Sequence, residues 1–469
     1  MGREKALDHI DDYFLTGAFE ADLARRVAFR TESNLEGCED ALQGYLADEL
    51  VPYLSSMDFD CAIHPNPLSD AGPILVAHRQ EDDSLPTVMT YGHGDVVAGY
   101  GGQWIDDMDP WRITRIGHRW YGRGTADNKG QHTVNLAALK TVLDVRGKLG
   151  FNIIVLIEMG EERGSPGLKE FCATNKHLFH ADVFIASDGP RLHPNKPTIF
   201  MGSRGVFNFT MRLDLHEGGH HSGNWGGLLT NPGVVMAHAL ASMIDANGKI
   251  LVEGWRSTEM SDSTRVAIAK LEVGGGENAP TMNANWGEPD MTPAERVFAS
   301  NTFEIRAFET GNPHSPANAI PPSAIAYGHL RYVVGTDPEQ LMPLLRAHLD
   351  KLGFNDIKLR TERDPMYATR LDPEHPWAKW VVRSLSITFG GDIAVMPNLG
   401  GSLPNEVFAD ILGLPTIWVP HSYAGCSQHA PNEHILEGTT QTALRLMTGL
   451  WWDLGAGDTP AKLPKGVHK

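Results

Sequence analysis

Imidazole and carboxylate side chains recur in this sequence where an open α/β sheet would gather them. Tyr91-Gly-His-Gly-Asp95 places His93 and Asp95 two residues apart just past an apolar run, so both side chains leave the backbone on the same side. One ring nitrogen of His93 can then serve a cation while Asp95 accepts a proton from the other, the contact that fixes the tautomer of a metal-bound histidine. Asp127 follows the glycine-rich turn Gly122-Arg-Gly-Thr-Ala and precedes a helical run. A carboxylate there can bridge two cations with helix-start amides orienting it, or simply cap the helix. Glu161 and Glu162 follow the most apolar run of the region. Adjacent carboxylates repel, which is tolerable in solvent or beside cations, and beside cations one can ligate while its neighbour acts on water. Asp188 lies in Ala-Ser-Asp-Gly-Pro beyond another apolar run, and His429 opens His-Ala-Pro-Asn-Glu433. Taken singly, each has an ordinary reading: a strand-end histidine, an N-cap, a solvated acidic loop. Four successive candidate strands that all present imidazole or acid at the same end argue for one shared site, of the ligand types a two-metal hydrolytic centre uses.

The elements that must position these groups follow from periodicity. Amphipathic helices are predicted over 8–30 and 39–55, strands over 74–77, 87–91, 151–157 and 183–186, and helices from 128 through 142 and over 168–174. After about residue 205 the pattern changes to strand 206–214, helix 232–243, strands 302–308 and 325–334, helix 338–352 and strand 356–361, a β-α-β-β-α-β set. From about 373 the first style resumes with helix 376–385, strand 416–418 and helix 439–450. The expectation is an α/β domain with a central mixed sheet flanked by helices, built from residues 1–205 and 374–469 and interrupted by an inserted α+β domain over 206–373. The segment 250–300 reads as an irregular excursion of the insert, and its Gly274-Gly-Gly-Glu277 has no phosphate-loop lysine and is assigned no chemistry. A formal net charge of -18 with no basic stripe opposes binding to nucleic acid or an anionic membrane. Cys38, Cys61, Cys172 and Cys426 lie far apart without a CxxC pair, which argues against a zinc ribbon or a disulfide framework and fits a reducing cytoplasm. The N-terminal residues lack an apolar signal region and the longest apolar run is a strand's length, so neither secretion nor a membrane span is expected.

The runs Tyr91–Val96, Trp120–Gly130, Glu158–Leu168, Ala186–Pro190 and His429–Glu433 together resemble the M20 family of metallopeptidases, in particular its carnosinase-type dipeptidase branch, in the right order over nearly the whole chain. The resemblance implies a di-metal catalytic domain interrupted by a ferredoxin-like lid and dimerisation domain. It assigns His93 and Asp188 to one cation, Glu162 and His429 to the other, and Asp127 to both, with His421 and His434 fitting poorly. Glu161 matches the general base that takes a proton from a water shared by the cations, and Asp95 the partner of His93. His221, within Gly219–Gly227, matches a histidine that reaches the active site of the other subunit of a homodimer and steadies the oxyanion there. Asn318, Arg331 and Ser402, the last within Gly400–Pro404, match substrate-binding positions. Nitrogen and oxygen donors of this kind suit Zn2+ best, with Mn2+ or Co2+ also accepted. In this family the peptide after the bridging aspartate is typically cis, here Asp127-Asn128. An aspartate at position 188 goes with the amino- and dipeptidase members, so a dipeptide or short peptide is the expected substrate and an N-acyl-amino-acid amidohydrolase the alternative. A catalytically silent binding or scaffold homologue is disfavoured, since no matched position is missing.

Overall fold

The computed structural model describes residues 2–68, 71–257, 260–274, 281–362 and 365–460. The apolar run after residue 150 is the strand Asn152–Glu158, buried at every position, as suits a strand covered on both faces. It pairs antiparallel with Ile74–Arg79 and parallel with Thr87–His93. The eight-stranded mixed sheet runs in the order Asp60–His64, Ile74–Arg79, Asn152–Glu158, Thr87–His93, Val183–Ala186, Thr416–Trp418, Thr198–Phe200, Ala394–Met396. Alternate residues of its strands enter two separate cores. Leu75, Ala77, Ile153 and Val155 pack with Leu139, Val142, Leu444 and Trp451 on one face, while Val76, Tyr91, Ile154 and Leu156 pack with Phe184, Phe408 and Trp418 on the other. The buried valine, leucine, isoleucine and phenylalanine side chains among them each contribute about 1.5 to 3 kcal/mol relative to exposure, which helps hold the strand ends in place. Asn152–Glu158, Thr87–His93, Val183–Ala186 and Thr416–Trp418 are mutually parallel neighbours. Their carboxyl ends therefore face one way, and the crevice outside them is where His93, Glu161, Glu162 and Asp188 emerge.

Thr302–Thr310, Ser323–Tyr332, Gly205–Asp214 and Lys358–Thr361 form a second, wholly antiparallel sheet in that order. Helices Pro232–Met243 and Pro338–Lys351 complete the predicted β-α-β-β-α-β set. Along Ser323–Tyr332 burial alternates residue by residue, with Ala324, Ala326, Leu330 and Tyr332 turned into a core that also holds Phe207, Phe209, Met236 and Leu345. Arg331 and its same-face neighbours point the other way.

The helix expected over 8–30 is two, Gly2–Leu15 and Ala18–Val27, separated at Gly17, whose φ of 81° is a left-handed value that ends a helix. The 39–55 helix is interrupted by a wider π turn over Tyr45–Leu50. The 250–300 excursion contains two short helices that weak periodicity did not announce, Asp262–Ile268 and Pro293–Phe298, the second opened by a reciprocal capping box between Thr292 and Glu295. Of Gly274–Glu277 only Gly274 lies within the described residues. Among those residues no helix is long and apolar enough to cross a membrane, and all four cysteines are free.

Candidate metal centre

His93 is the last residue of its strand and is fully buried, with Nε2 3.1 Å from Asp127 Oδ1, 3.7 Å from Asp188 Oδ2 and 3.9 Å from Glu161 Oε2. His429 lies 3.1 Å from the other Asp127 oxygen, Oδ2, and 3.0 Å from Glu162 Oε2. Two ligand sets result, His93–Asp127–Asp188 and Asp127–Glu162–His429, sharing Asp127. Donors bonded to one small divalent cation at about 2.0 to 2.2 Å sit about 3.0 to 3.5 Å apart, so most of these separations are already those of ligands around a common ion. Asp188 Oδ2 strengthens the fit: it is buried without a hydrogen-bond partner, a costly state for a carboxylate oxygen that a cation would relieve. His421 and His434 stand apart, His421 on Ser187 Oγ at 2.9 Å and His434 on Tyr423 Oη at 2.8 Å.

The charges are arranged as a cluster that holds protons where cations would go. Burial opposes ionisation of Asp127, yet the imidazoles of His429 and His93 outweigh it and hold the carboxyl below its usual range. Burial, with the charge of Asp127, pushes Glu162 up to about 7 and Asp188 up to about 6. Glu161 is raised well above a normal glutamate, first by burial and then by Asp188, Glu162 and Asp127, with His93 opposing. Hydrogen bonds to Asp127 and Glu162 hold the His429 imidazolium up to about 11. A cation entering such a set displaces protons, the ordinary chemistry of metal uptake.

The backbone behind the cluster is held by two buried acids. Asp95 was expected to meet the far nitrogen of His93 with its carboxylate. The shorter contact is with its carbonyl oxygen, at 3.0 Å, and the nearer carboxylate oxygen is 3.4 Å away. That carboxylate has further partners: it accepts from the amides of Glu161 at 3.1 Å and Glu162 at 3.2 Å, and from Ser33 Oγ at 2.7 Å. One residue thus links the strand end bearing His93 to the turn bearing both glutamates. Helix-start amides do not orient Asp127. The helix begins at Lys129, and its N-cap, Asn128, makes no side-chain cap bond. Glu433 does the work instead, accepting from the amides of Gly124, Ala126 and Asp127 at 2.9, 2.8 and 3.0 Å and pairing with buried Arg123 at 2.7 Å. The Asp127-Asn128 peptide is cis. Glu433, Ser33 and Gln428, whose Nε2 is 3.2 Å from Asp127 Oδ2, are site residues that the sequence reading did not single out. Glu433 closes the His429–Glu433 run, but nothing local says that this carboxylate serves the distant amides of Gly124, Ala126 and Asp127.

The remaining predicted residues form two further groups. Arg331 Nη1 donates to Ser402 Oγ at 2.8 Å, and Ser402 Oγ donates to the Arg204 carbonyl at 2.6 Å. Burial pulls the Arg331 guanidinium below its usual range. His221 and Asn318 are joined through a two-stranded ribbon, His220–His221 against Ala319–Ile320, with the Asn318 carbonyl accepting from the amide and hydroxyl of Ser222. The His221 side chain is exposed and accepts from Gly223 of its own loop.

The sequence matches the family described as peptidase family M20/M25/M40 over residues 89–453. It is 36% identical over 419 residues to a beta-Ala-His dipeptidase of Mus musculus, covering 84% of this chain and 82% of that one. It is 26% identical over 366 residues to a cysteinylglycine-S-conjugate dipeptidase of Corynebacterium striatum, covering 76% and 77%. In fold it is similar to an M20 family metallo-carboxypeptidase of Sulfolobus solfataricus, with a TM-score of 0.80 at 24% identity over 93% of this chain and 99% of the other.

Proposed function

This chain belongs to peptidase family M20/M25/M40, and from that premise we propose that it is a two-cation dipeptidase, hydrolysing the peptide bond of dipeptides or short peptides. The observation that carries the reading is the sharing of Asp127 between two ligand sets, with Glu161 3.9 Å from His93 and outside both. In this reading His93 and Asp188 hold one cation, Glu162 and His429 the other, and Asp127 both. Zn2+ is the first choice, with Mn2+ or Co2+ suited to the same donors. When bound, such ions would lower the pKa of the attacking water and polarise the scissile carbonyl.

The protein's own groups do the rest. Glu161, its backbone tied down by Asp95, takes the proton of the attacking water and delivers it to the leaving amine. Arg331 receives the substrate carboxylate, a two-pronged contact its planar guanidinium suits, with Ser402 alongside. His221 acts in trans: exposed on the insert and joined to Asn318, it would reach the oxyanion of the partner subunit's site as the lid closes. The insert, residues 206–373, would then be both lid and dimer contact, between catalytic segments 1–205 and 374–469. Apolar Ile305 and Phe308, 42% and 43% exposed on the strand at its sheet edge, support that contact. Four free cysteines suit a reducing cytoplasm.

Both sequence relatives named above are dipeptidases by name, which favours this substrate class over N-acyl amino acids. The test is a screen of metal-free protein reloaded with zinc, cobalt or manganese against dipeptides and N-acetyl or N-succinyl amino acids. Dipeptides should be the better substrates with at least one metal. Faster hydrolysis of the N-acyl compounds with every metal would make the protein a deacylase.

A further inference from the structure

Gln428 and His429 are consecutive, and in extended backbone consecutive side chains point to opposite sides. Here they converge on one atom: Gln428 Nε2 lies 3.2 Å and His429 Nε2 3.1 Å from Asp127 Oδ2. The cause is local. Ser427 and His429 have φ of 58° and 60°, left-handed values that residues with side chains seldom adopt. The loop is fixed in this shape from behind, by Asn432 Oδ1 accepting from the Ile105 amide at 2.7 Å and by Glu433 in the turn that carries Asp127. A backbone held in an uncommon conformation so that two neighbouring side chains meet at one ligand oxygen indicates that both belong to what is bound there.

We propose that Gln428 is a fourth protein donor to the second cation, through Oε1, beside Asp127, Glu162 and His429. This rests on the two-cation reading above. Without metal, Asp127 Oδ2 receives two N–H donors, from His429 and Gln428. When a cation takes that oxygen, His429 must exchange a proton for a lone pair. The amide of Gln428 does the equivalent by a half-turn of its terminal torsion, which places its oxygen where its nitrogen stood. The 3.2 Å separation between Gln428 and Asp127 is itself a ligand-to-ligand distance of the kind seen around a small divalent ion. A neutral amide oxygen adds a hard donor and raises the number of protein donors at the second site from three to four. At the second site this added donor suits Mn2+ or Co2+, the alternatives to Zn2+ named above, which accept five or six ligands.

The test uses the full chain stripped of metal and titrated with Mn2+ alone by calorimetry and with Co2+ alone by visible absorption. His429→Ala identifies which binding event is the second site. Wild type should take up two ions. Gln428→Ala should bind the first as before and the second about 10-fold to 100-fold more weakly. Its second Co2+ should show the more intense absorption of a lower coordination number. Gln428→Glu separates ligation from simple hydrogen bonding, because a carboxylate can bind a cation but cannot donate to Asp127. It should hold the second ion at least as tightly as wild type. Unchanged second-site affinity in Gln428→Ala, or a loss in Gln428→Glu as large as that in Gln428→Ala, would overturn the assignment while leaving the two-cation reading intact. Uptake of fewer than two ions by wild type would instead overturn that reading.

Discussion

Replacing Glu433 by Gln tests whether the loop carrying Asp127 is held by a charge rather than by packing. Glu433 is 1% exposed and accepts four N–H groups, Oε1 from Ala126 and Asp127 and Oε2 from Gly124 and Arg123. Glutamine keeps the volume but has one oxygen. If that oxygen faces Ala126 and Asp127, the amide NH2 confronts the Gly124 amide and the Arg123 guanidinium, donor against donor. Hydrogen bonds to a charged group contribute about 1.5 to 3 kcal/mol each, and removing one partner of a buried ion pair costs about 3 to 5 kcal/mol. Arg123 keeps the carbonyls of Ala98 and Ala430 at 3.1 and 3.0 Å, which places the expected loss at the lower end, about 3 kcal/mol. A domain stable by about 5 to 15 kcal/mol survives that, but the Asp127 turn loosens and metal affinity should fall about 10-fold to 100-fold. Urea unfolding of the metal-free proteins measures the first quantity without the stabilisation that bound metal adds, and calorimetric titration with Zn2+ measures the second. A variant within about 0.5 kcal/mol of wild type, the range of an ordinary surface change, and with unchanged metal affinity would refute the reasoning.

Metal uptake should release protons and strengthen with pH. In the metal-free protein His429 is held up to about 11 and Glu162 up to about 7, so near neutral pH these two still carry protons that a cation must expel, and Asp188, raised to about 6, joins them as the pH falls. Affinity therefore falls as pH drops from 8 to 6, and titrations in buffers of different ionisation heat should show net release; a flat profile would contradict the arrangement. Arg331→Ala should lower kcat/KM for dipeptides about 10-fold to 100-fold, the loss expected of a charge-assisted contact, with metal content unchanged. An effect equally large on a dipeptide amide, which lacks the carboxylate, would remove Arg331 from that role. Mixing inactive His221→Ala with inactive Glu161→Gln protein should restore activity, since one site of a mixed dimer keeps its own Glu161 and borrows an intact His221. No more than about half its sites can recover. No recovery after demonstrated subunit exchange would place His221 within its own chain's chemistry or in none.

Much of this was readable in the sequence because strand ends and ligand types coincide. His93, Glu162 and Asp188 follow apolar strands and Asp127 a glycine-rich turn, whereas His429 was assigned only through the family resemblance, and the five meet in space in two sets that share Asp127. The β-α-β-β-α-β insert was legible from the alternation in Ser323–Tyr332 and Gly205–Asp214. The supporting contacts were not. Asp95 was read as a partner for His93, which it meets with both its carbonyl and its carboxylate, but that carboxylate also serves the amides of Glu161 and Glu162, a contact between segments that no spacing rule encodes. Glu433 and Gln428 act through a loop whose left-handed residues, Ser427, His429 and Asn432, are not glycine, so the usual sign of such backbone was missing. The short helices near 262 and 293 are held by caps and by packing against the second core rather than by a long apolar stripe.

The central claim, two cations in place with Glu161 moving the proton, is tested most directly by Glu161→Gln. Metal analysis of the purified variant, reloaded as for wild type, should give two ions per chain, because neither ligand set contains Glu161. Dipeptide turnover should fall about 10²-fold to 10⁴-fold, the usual contribution of a general base. Two bound ions with turnover near that of wild type would contradict the account.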